Sequence, residues 1–294
     1  MTTVSYQWCF FKIYAEPSYQ NRILLHYIYP VIKELTTKGA IKQWFFVRYS
    51  DLNEIYERRL YSDLPSNNPG YHLRIRILLS SSWEIAKKII ESSMKNACQT
   101  GICQDWQYAS YVPETQRYGG YRGIELAHQI FHLNSQNIID LLSISLSKTF
   151  SWAILRTGDE LLNCLGLNIE SRIQLYCCRF QWFASEYHFD TIDYTNLENF
   201  YHKRYNEYTT LFCNSNSRPR QKYLFLSSPD LLQEIGDQFL QYEKDGQLST
   251  PKQDIFAALH HMHFNRSGLS SLSELSMMYF MHRILKDGYG FSYD

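Results

Sequence analysis

Residues 71–79, YHLRIRILL, alternate with a period of two. Tyr71, Leu73, Ile75, Ile77 and Leu79 fall on one side, and His72, Arg74 and Arg76 on the other. This predicts a strand with one buried face. Residues 5–14 (SYQWCFFKIY), 42–49 (KQWFFVRY) and 105–112 (DWQYASYV) are rich in aromatic and β-branched residues and read as three further strands. Between the first two, Ile23, Leu24, Tyr27, Ile28, Val31, Ile32 and Leu35 follow helical spacing within 19–38. Glu16-Pro17-Ser18 opens that helix and Gly39 ends it. A second helix is predicted over 83–97, with Ser82 as its cap. The order βαββαβ is that of the ferredoxin-like split motif, an antiparallel sheet with both helices on one face.

From Ile124 onward the periodicity is almost entirely helical. Asn134 or Ser135 reads as the cap of a helix running towards Trp152 and Leu155; others are predicted over 170–183 and 197–212. Residues 214–222 are loop-like and basic, and 223–226 read as a short strand. Ser228-Pro229 and Thr250-Pro251 start two more helices, the second ending near Gly268. Ser271-x-x-Glu274 fits a capping box opening the last helix, which Gly288 ends. The expected fold class is α+β: one composite domain, 1–294, with a sheet-bearing half (1–121) and a mainly helical half (122–294).

Composition narrows the function more than it names one. Basic and acidic residues both number 29, so net charge makes no case for direct nucleic-acid binding. Tyrosines number 24, which suits broad amphipathic contact surfaces. The seven cysteines show no CxxC spacing, and reduced thiols in a cytosolic protein are the simplest account. The N-terminus lacks a signal-peptide pattern, and no run of about 18 apolar residues occurs, so neither secretion nor a membrane span is expected. GxxxxGKS, HExxH, GxSxG and the dinucleotide fingerprint are absent, which removes those routes to catalysis; no cofactor is expected.

Three groups of residues can carry chemistry. In YVPETQRYGG, Pro113 stops a strand-like run and Gly119-Gly120 breaks the backbone, so Glu114 and Arg117 stand at a strand–turn–helix junction. On spacing alone, an ordinary turn with solvated charges is the stronger reading. Arg48, Arg74 and Arg76 lie on neighbouring strands and are expected to open Arg48 and Arg74 onto one cleft suited to carboxylates. The competing reading has sheet-face arginines stacked on Tyr or Trp. In LHHMHFNR, His260 and His263 share a helical face without a third ligand, so satisfied structural histidines outweigh a metal site, and no metal is expected. Acid–base work by a histidine is the third possibility.

Taken together, PETQRYGG followed by FHLNSQ, WFFVRYSD…PGYHLRIRI, and HMHFNRSG resemble the motifs of the thiopeptide-type bacteriocin biosynthesis family. That family corresponds to the C-terminal elimination domain of class I lanthipeptide dehydratases. Each motif is short, but their order spans Trp44 to Gly268. This chain departs from the pattern by an insertion at 52–68, readable as a lid, a peptide-docking loop or surface elaboration. The resemblance implies a lyase that removes glutamate from glutamylated Ser/Thr of a precursor peptide, leaving dehydroalanine or dehydrobutyrine. It makes Arg48 and Arg117 the elimination arginines and His261 the acid/base. Arg74, Arg76, Glu114, Tyr118, Asn265 and Arg266, within or beside the motifs, become substrate-binding candidates. The implied partners are a leader–core precursor peptide and a separate glutamyl-tRNA-dependent glutamylating protein, since no region matches that second activity; a homodimer is compatible with this reading. Two rivals stay open: a pyridine-forming [4+2] cycloaddition, which does not need the elimination Arg and His, and a non-catalytic peptide-binding scaffold.

Overall fold

The computed structural model describes residues 7–50, 70–80, 83–144, 150–212, 226 and 228–289. The insertion at 52–68, the expected cap Ser82, the loop at 214–222 and residues 223–225 of the strand expected at 223–226 lie outside these residues; Leu226 is described and is not in a strand. Two compact units are present: Met1–Glu114 with Ala127–Ser145, and Thr115–Leu126 with Leu146–Asp294. The turn bearing Arg117 thus groups with the helical unit, whereas most of the helix that follows it groups with the sheet.

The sheet-bearing unit holds β1 (Gln7–Tyr14), β2 (Ile41–Ser50), β3 (Tyr71–Leu79) and β4 (Asp105–Ala109) in the order β2-β3-β1-β4. Every neighbouring pair is antiparallel. With α1 (Pro17–Ile23), α2 (Tyr29–Thr37) and α3 (Trp83–Gln99) this is the expected βαββαβ arrangement. Directly paired residues share a face, so the register sorts the side chains. Phe11, Ile13, Trp44, Phe46, Leu73, Ile75 and Ile77 line one face and are almost fully buried. The helices lie on that face: Arg48 reaches Gln20 and Asn21 of α1, and Ser93 of α3 donates to the Tyr27 carbonyl.

The helix expected over 19–38 carries an interruption that periodicity did not reveal. A π-helical turn, Leu24–Ile28, joins α1 to α2, and Pro30 sits in the first turn of α2. Proline has no N–H to give to the preceding turn, and a widened turn ahead of it absorbs that break without ending the helix.

A second correction concerns α4, which runs unbroken from Gly120 to Ile144. Asn134 and Ser135 are buried inside it and cap nothing. Ser135 Oγ accepts from Phe46 N at 3.2 Å, and His132 Nδ1 lies 3.1 Å from the Trp44 carbonyl. β2 is an edge strand, and these side chains satisfy backbone groups that an edge leaves open.

The helical unit contains α5 (Phe150–Cys164), α6 (Ile169–Glu186), α7 (Thr191–Phe212), α8 (Pro229–Lys244), α9 (Lys252–Ser267) and α10 (Ser271–Tyr289). Asn168 caps α6, accepting from Ser171 N at 2.9 Å. Its core is built from Ile154, Leu155, Leu162, Ile173, Tyr176, Ile235, Phe239, Phe256, Phe264, Leu275, Met278 and Met281. Ser228 takes a left-handed conformation and makes no side-chain cap, and Thr250 donates its hydroxyl to the Gln116 carbonyl. Among the described residues no helix is long and apolar enough to cross a membrane.

Candidate active site

Arg117 sits in a tight turn. Gly120 N donates to the Thr115 carbonyl at 2.7 Å, and Gly119 and Gly120 take φ of +86° and +90°, the left-handed region glycine tolerates. A Cβ on Gly119 would meet Ile255 Cδ1 at 2.7 Å, and one on Gly123 would strike the Tyr118 carbonyl oxygen at 1.8 Å. The glycines therefore serve close approach as well as turn geometry. The turn is stitched to the segment before α9 by Ser249 N donating to Gly119 O at 3.2 Å and Thr250 Oγ1 to Gln116 O at 2.6 Å. Arg117 is exposed, while Tyr118 is buried beneath it.

α9 carries three histidines in three environments. His263 is fully buried, 2.9 Å from the Ile154 carbonyl, and burial pulls its pKa down to about 4. His260 is also buried, beside the Tyr176 hydroxyl, and burial holds it well below the usual histidine range. Gly158 on α5 makes room for both rings; a Cβ there would lie 3.0 Å from His260 Nε2 and 3.1 Å from His263 Cδ2. These are the satisfied structural histidines, and they are neutral. Among the described residues no three His, Cys, Asp or Glu side chains are grouped to hold a metal ion.

His261 differs from both. It is partly exposed, and Nδ1 lies 2.8 and 3.0 Å from the two carboxylate oxygens of Glu274 on α10. Glu274 itself is 3% exposed. The capping box expected from Ser271-x-x-Glu274 does not form, because Ser270 accepts from Ser273 N and Glu274 turns inward to His261. An Nδ1–H donated to a buried carboxylate fixes the tautomer, leaving Nε2 as the ring's acid–base position. Arg179 on α6 joins the group, its Nη2 3.9 Å from Glu274 Oε1. Arg179 feels the positive charge of Arg117 as well as the negative charge of Glu274, and burial together with Arg117 lowers its pKa. Arg117, Arg179, Glu274 and His261 thus form one electrostatically connected cluster within the helical unit. Sequence reasoning missed Glu274 and Arg179 as parts of it. Arg179 lies in no motif, and the pairing of Glu274 spans 13 residues.

The remaining candidates are distributed differently. Asn265 is half-buried, and Arg266 is fully buried with Nη1 donating to the Met262 carbonyl, so its guanidinium does not reach solvent. In the sheet-bearing unit, Arg48 pairs with Leu73 and Arg74 with Val47. They therefore lie on opposite faces, which overturns the expectation that they open onto one cleft. Arg48 is bound by Gln20 and Asn21, and burial lowers its pKa to about 10. Arg74 lies 3.3 Å over the Tyr49 ring and donates to His72 Nε2. Arg76 is surrounded by the rings of Phe10, Phe45 and Tyr111 at 4.8–5.2 Å. Both take the ring-stacked arrangement of sheet-face arginines. Glu114 is exposed.

Comparison with known proteins places these motifs in a family. Residues 8–55 and 64–285 match the model of the lantibiotic biosynthesis dehydratase C-terminal domain. The chain is 27% identical over 148 residues to the nisin biosynthesis protein NisB of Lactococcus lactis subsp. lactis, covering 50% of this chain and 13% of NisB. Its fold is similar to that of the tRNA-dependent lantibiotic dehydratase MibB from Microbispora sp. 107891, with a TM-score of 0.71 and 17% identity over 96% of this chain and 28% of MibB. It is also similar to the pyridine synthase TbtD from thiomuracin biosynthesis, with a TM-score of 0.65 and 13% identity over 97% of this chain and all 100% of TbtD. The chain therefore spans a small fraction of NisB and MibB, and the structural likenesses concern the fold. The family match extends over both units, and the chain belongs to the lantibiotic biosynthesis dehydratase C-terminal family.

Proposed function

We propose that this protein eliminates glutamate from glutamylated Ser or Thr residues of a ribosomal precursor peptide. The observation that carries this reading is the cluster joining Arg117, Arg179 and Glu274 to His261. In the proposed step a base takes the Cα proton of the esterified residue. Electron density moves to the adjacent peptide carbonyl, the Cα–Cβ double bond forms, and the Cβ–O bond breaks. Glutamate leaves as a carboxylate. His261, its Nδ1 held by Glu274, takes and returns the proton through Nε2. Arg117 stabilises the negative charge that develops on the carbonyl oxygen or the leaving carboxylate, a task for a preorganised donor. A separate glutamylating protein supplies the ester. Arg48 enters as a catalytic residue by its motif alone.

A second reading is favoured by one specific observation: the fold covers the whole of a pyridine synthase. Cycloaddition joins two dehydroalanines and needs no strong acid–base pair, so it leaves the buried Glu274–His261 contact without a task. A peptide-binding scaffold leaves it equally idle.

The deciding experiment incubates the pure protein with a synthetic peptide carrying a glutamyl-serine ester and follows it by mass spectrometry. Release of glutamate with formation of dehydroalanine is expected. An unchanged ester, beside ring formation on a bis-dehydroalanine peptide, would replace elimination with cycloaddition.

A further inference from the structure

Arg179 meets its counter-charge, Glu274, only at long range. Its side chain is 23% exposed, and its guanidinium lies 4.9 Å from the Trp182 ring and 4.8 Å from the Phe183 ring, one helical turn further along α6. Rings at positions three and four residues on hold the guanidinium plane in place. Its ion pair with Glu274 is 3.9 Å long, beyond hydrogen-bonding distance, and both carboxylate oxygens of Glu274 are already on His261 Nδ1. Arg117 adds a second positive charge near the first. Arg179 therefore shares with His261 a carboxylate whose two oxygens both lie on the imidazole. A further carboxylate reaching Arg179 would find a planar pair of donors able to hold it in a fork.

We infer that Arg179 binds the free side-chain carboxylate of the glutamyl group and makes the enzyme specific for glutamyl over neutral aminoacyl esters. This rests on the elimination reading above. An aminoacyl-tRNA carries its amino acid through the α-carboxyl, so an ester made from glutamyl-tRNA keeps the side-chain carboxylate free. Division of labour follows: His261 handles the proton, Arg117 the charge at the reacting centre, and Arg179 the far end of the leaving group. The glutaminyl ester is the matching probe, nearly the same in size and lacking only the charge.

The test compares alkene formation from glutamyl-serine and glutaminyl-serine esters of one peptide, with the parent protein and with Arg179→Met and Arg179→Lys. The parent should prefer the glutamyl ester by at least about tenfold in kcat/KM. Arg179→Met should bring the ratio to within about twofold of unity while still forming alkene, and Arg179→Lys should fall between, keeping the charge without the fork. Equal rates on the two esters by the parent would overturn the inference, as would an unchanged preference in folded Arg179→Met. If the parent forms no alkene from either ester, the elimination reading fails, and calorimetry decides on Arg179 independently. Binding of free L-glutamate but not L-glutamine by the parent, lost in Arg179→Met and weakened in Arg179→Lys, would still support the carboxylate site; no such selectivity would overturn it.

Discussion

Three arginines of the sheet-bearing unit lie against rings and amides, whereas two arginines of the helical unit, Arg117 and Arg179, lie near other charges. Arg74 and Arg76 lie on aromatic rings and Arg48 is bound by two side-chain amides. Arg117 and Arg179 instead act on one another, and the carboxylate that Arg179 approaches serves His261. Positive charge gathered beside a histidine is where differential stabilisation of a transition state is available. The three histidines of α9 repeat the contrast on a single helix. His260 and His263 are buried and neutral, while His261 is tied to a buried carboxylate and partly open to solvent.

The contrast can be broken most forcefully by exchanging the roles it assigns. Arg117→Ala and His261→Ala should each lower glutamate release by about 10²-fold or more, with the fold intact by circular dichroism. Arg117→Lys should recover only part of the loss, because a point charge lacks the planar fork. Parent-like rates in these folded variants would make both residues structural. Glu274→Gln comes next. It keeps the shape but removes the charge that orients the ring, and a loss of about tenfold to a hundredfold in kcat with little change in KM is expected.

Stability should show the quieter histidines. Burial depresses His263 from 6.5 in the unfolded chain to about 4 in the folded protein. The unfolded state therefore binds more protons between these values. The contribution of His263 is fully present above pH 6.5 and is lost as pH falls towards 4, amounting to about 3 kcal/mol. Urea unfolding at pH 7 and pH 4.5 should show this part of the acid sensitivity shrinking in His263→Gln. An undiminished acid sensitivity in that variant would show that His263 does not titrate between the two states.

The smallest effect is expected in the sheet. Arg76→Met keeps the stem against Phe10, Phe45 and Tyr111 and removes the charge, costing about 1 kcal/mol in stability. Elimination should stay within about twofold of the parent. His128, held to about 4 by burial and then by Arg76, should titrate higher in this variant when followed by NMR. A large catalytic loss in Arg76→Met would erase the distinction between the two units.

The parts that could be read from the chain were those with short-range causes. Alternation in 71–79 marked β3 and its faces, and Gly119-Gly120 marked the left-handed turn. What escaped depended on distant partners. Asn134 and Ser135 have the chemistry of caps, but an edge strand some 90 residues earlier claims Ser135. Ser271-x-x-Glu274 has the spacing of a capping box, yet a carboxylate bonds whichever donor the tertiary fold brings to it. Arg48 and Arg74 could be placed on faces only once the register of β2 against β3 was known, since a one-residue slip reverses every side chain. The π turn before Pro30 was hidden because the apolar spacing around it stays nearly helical.

The bonds from Ser249 N to Gly119 O and from Thr250 Oγ1 to Gln116 O have a kinetic consequence. They make the Arg117 turn and the start of α9 a single opening unit, so a fluctuation that frees one must break the other. In native-state hydrogen exchange the amides of Gly120 and Ser249 should then exchange through the same event, with similar opening free energies. Arg117 and the helix that carries His261 would be lost and regained together, and the site would pass between assembled and disassembled without populating a half-built form.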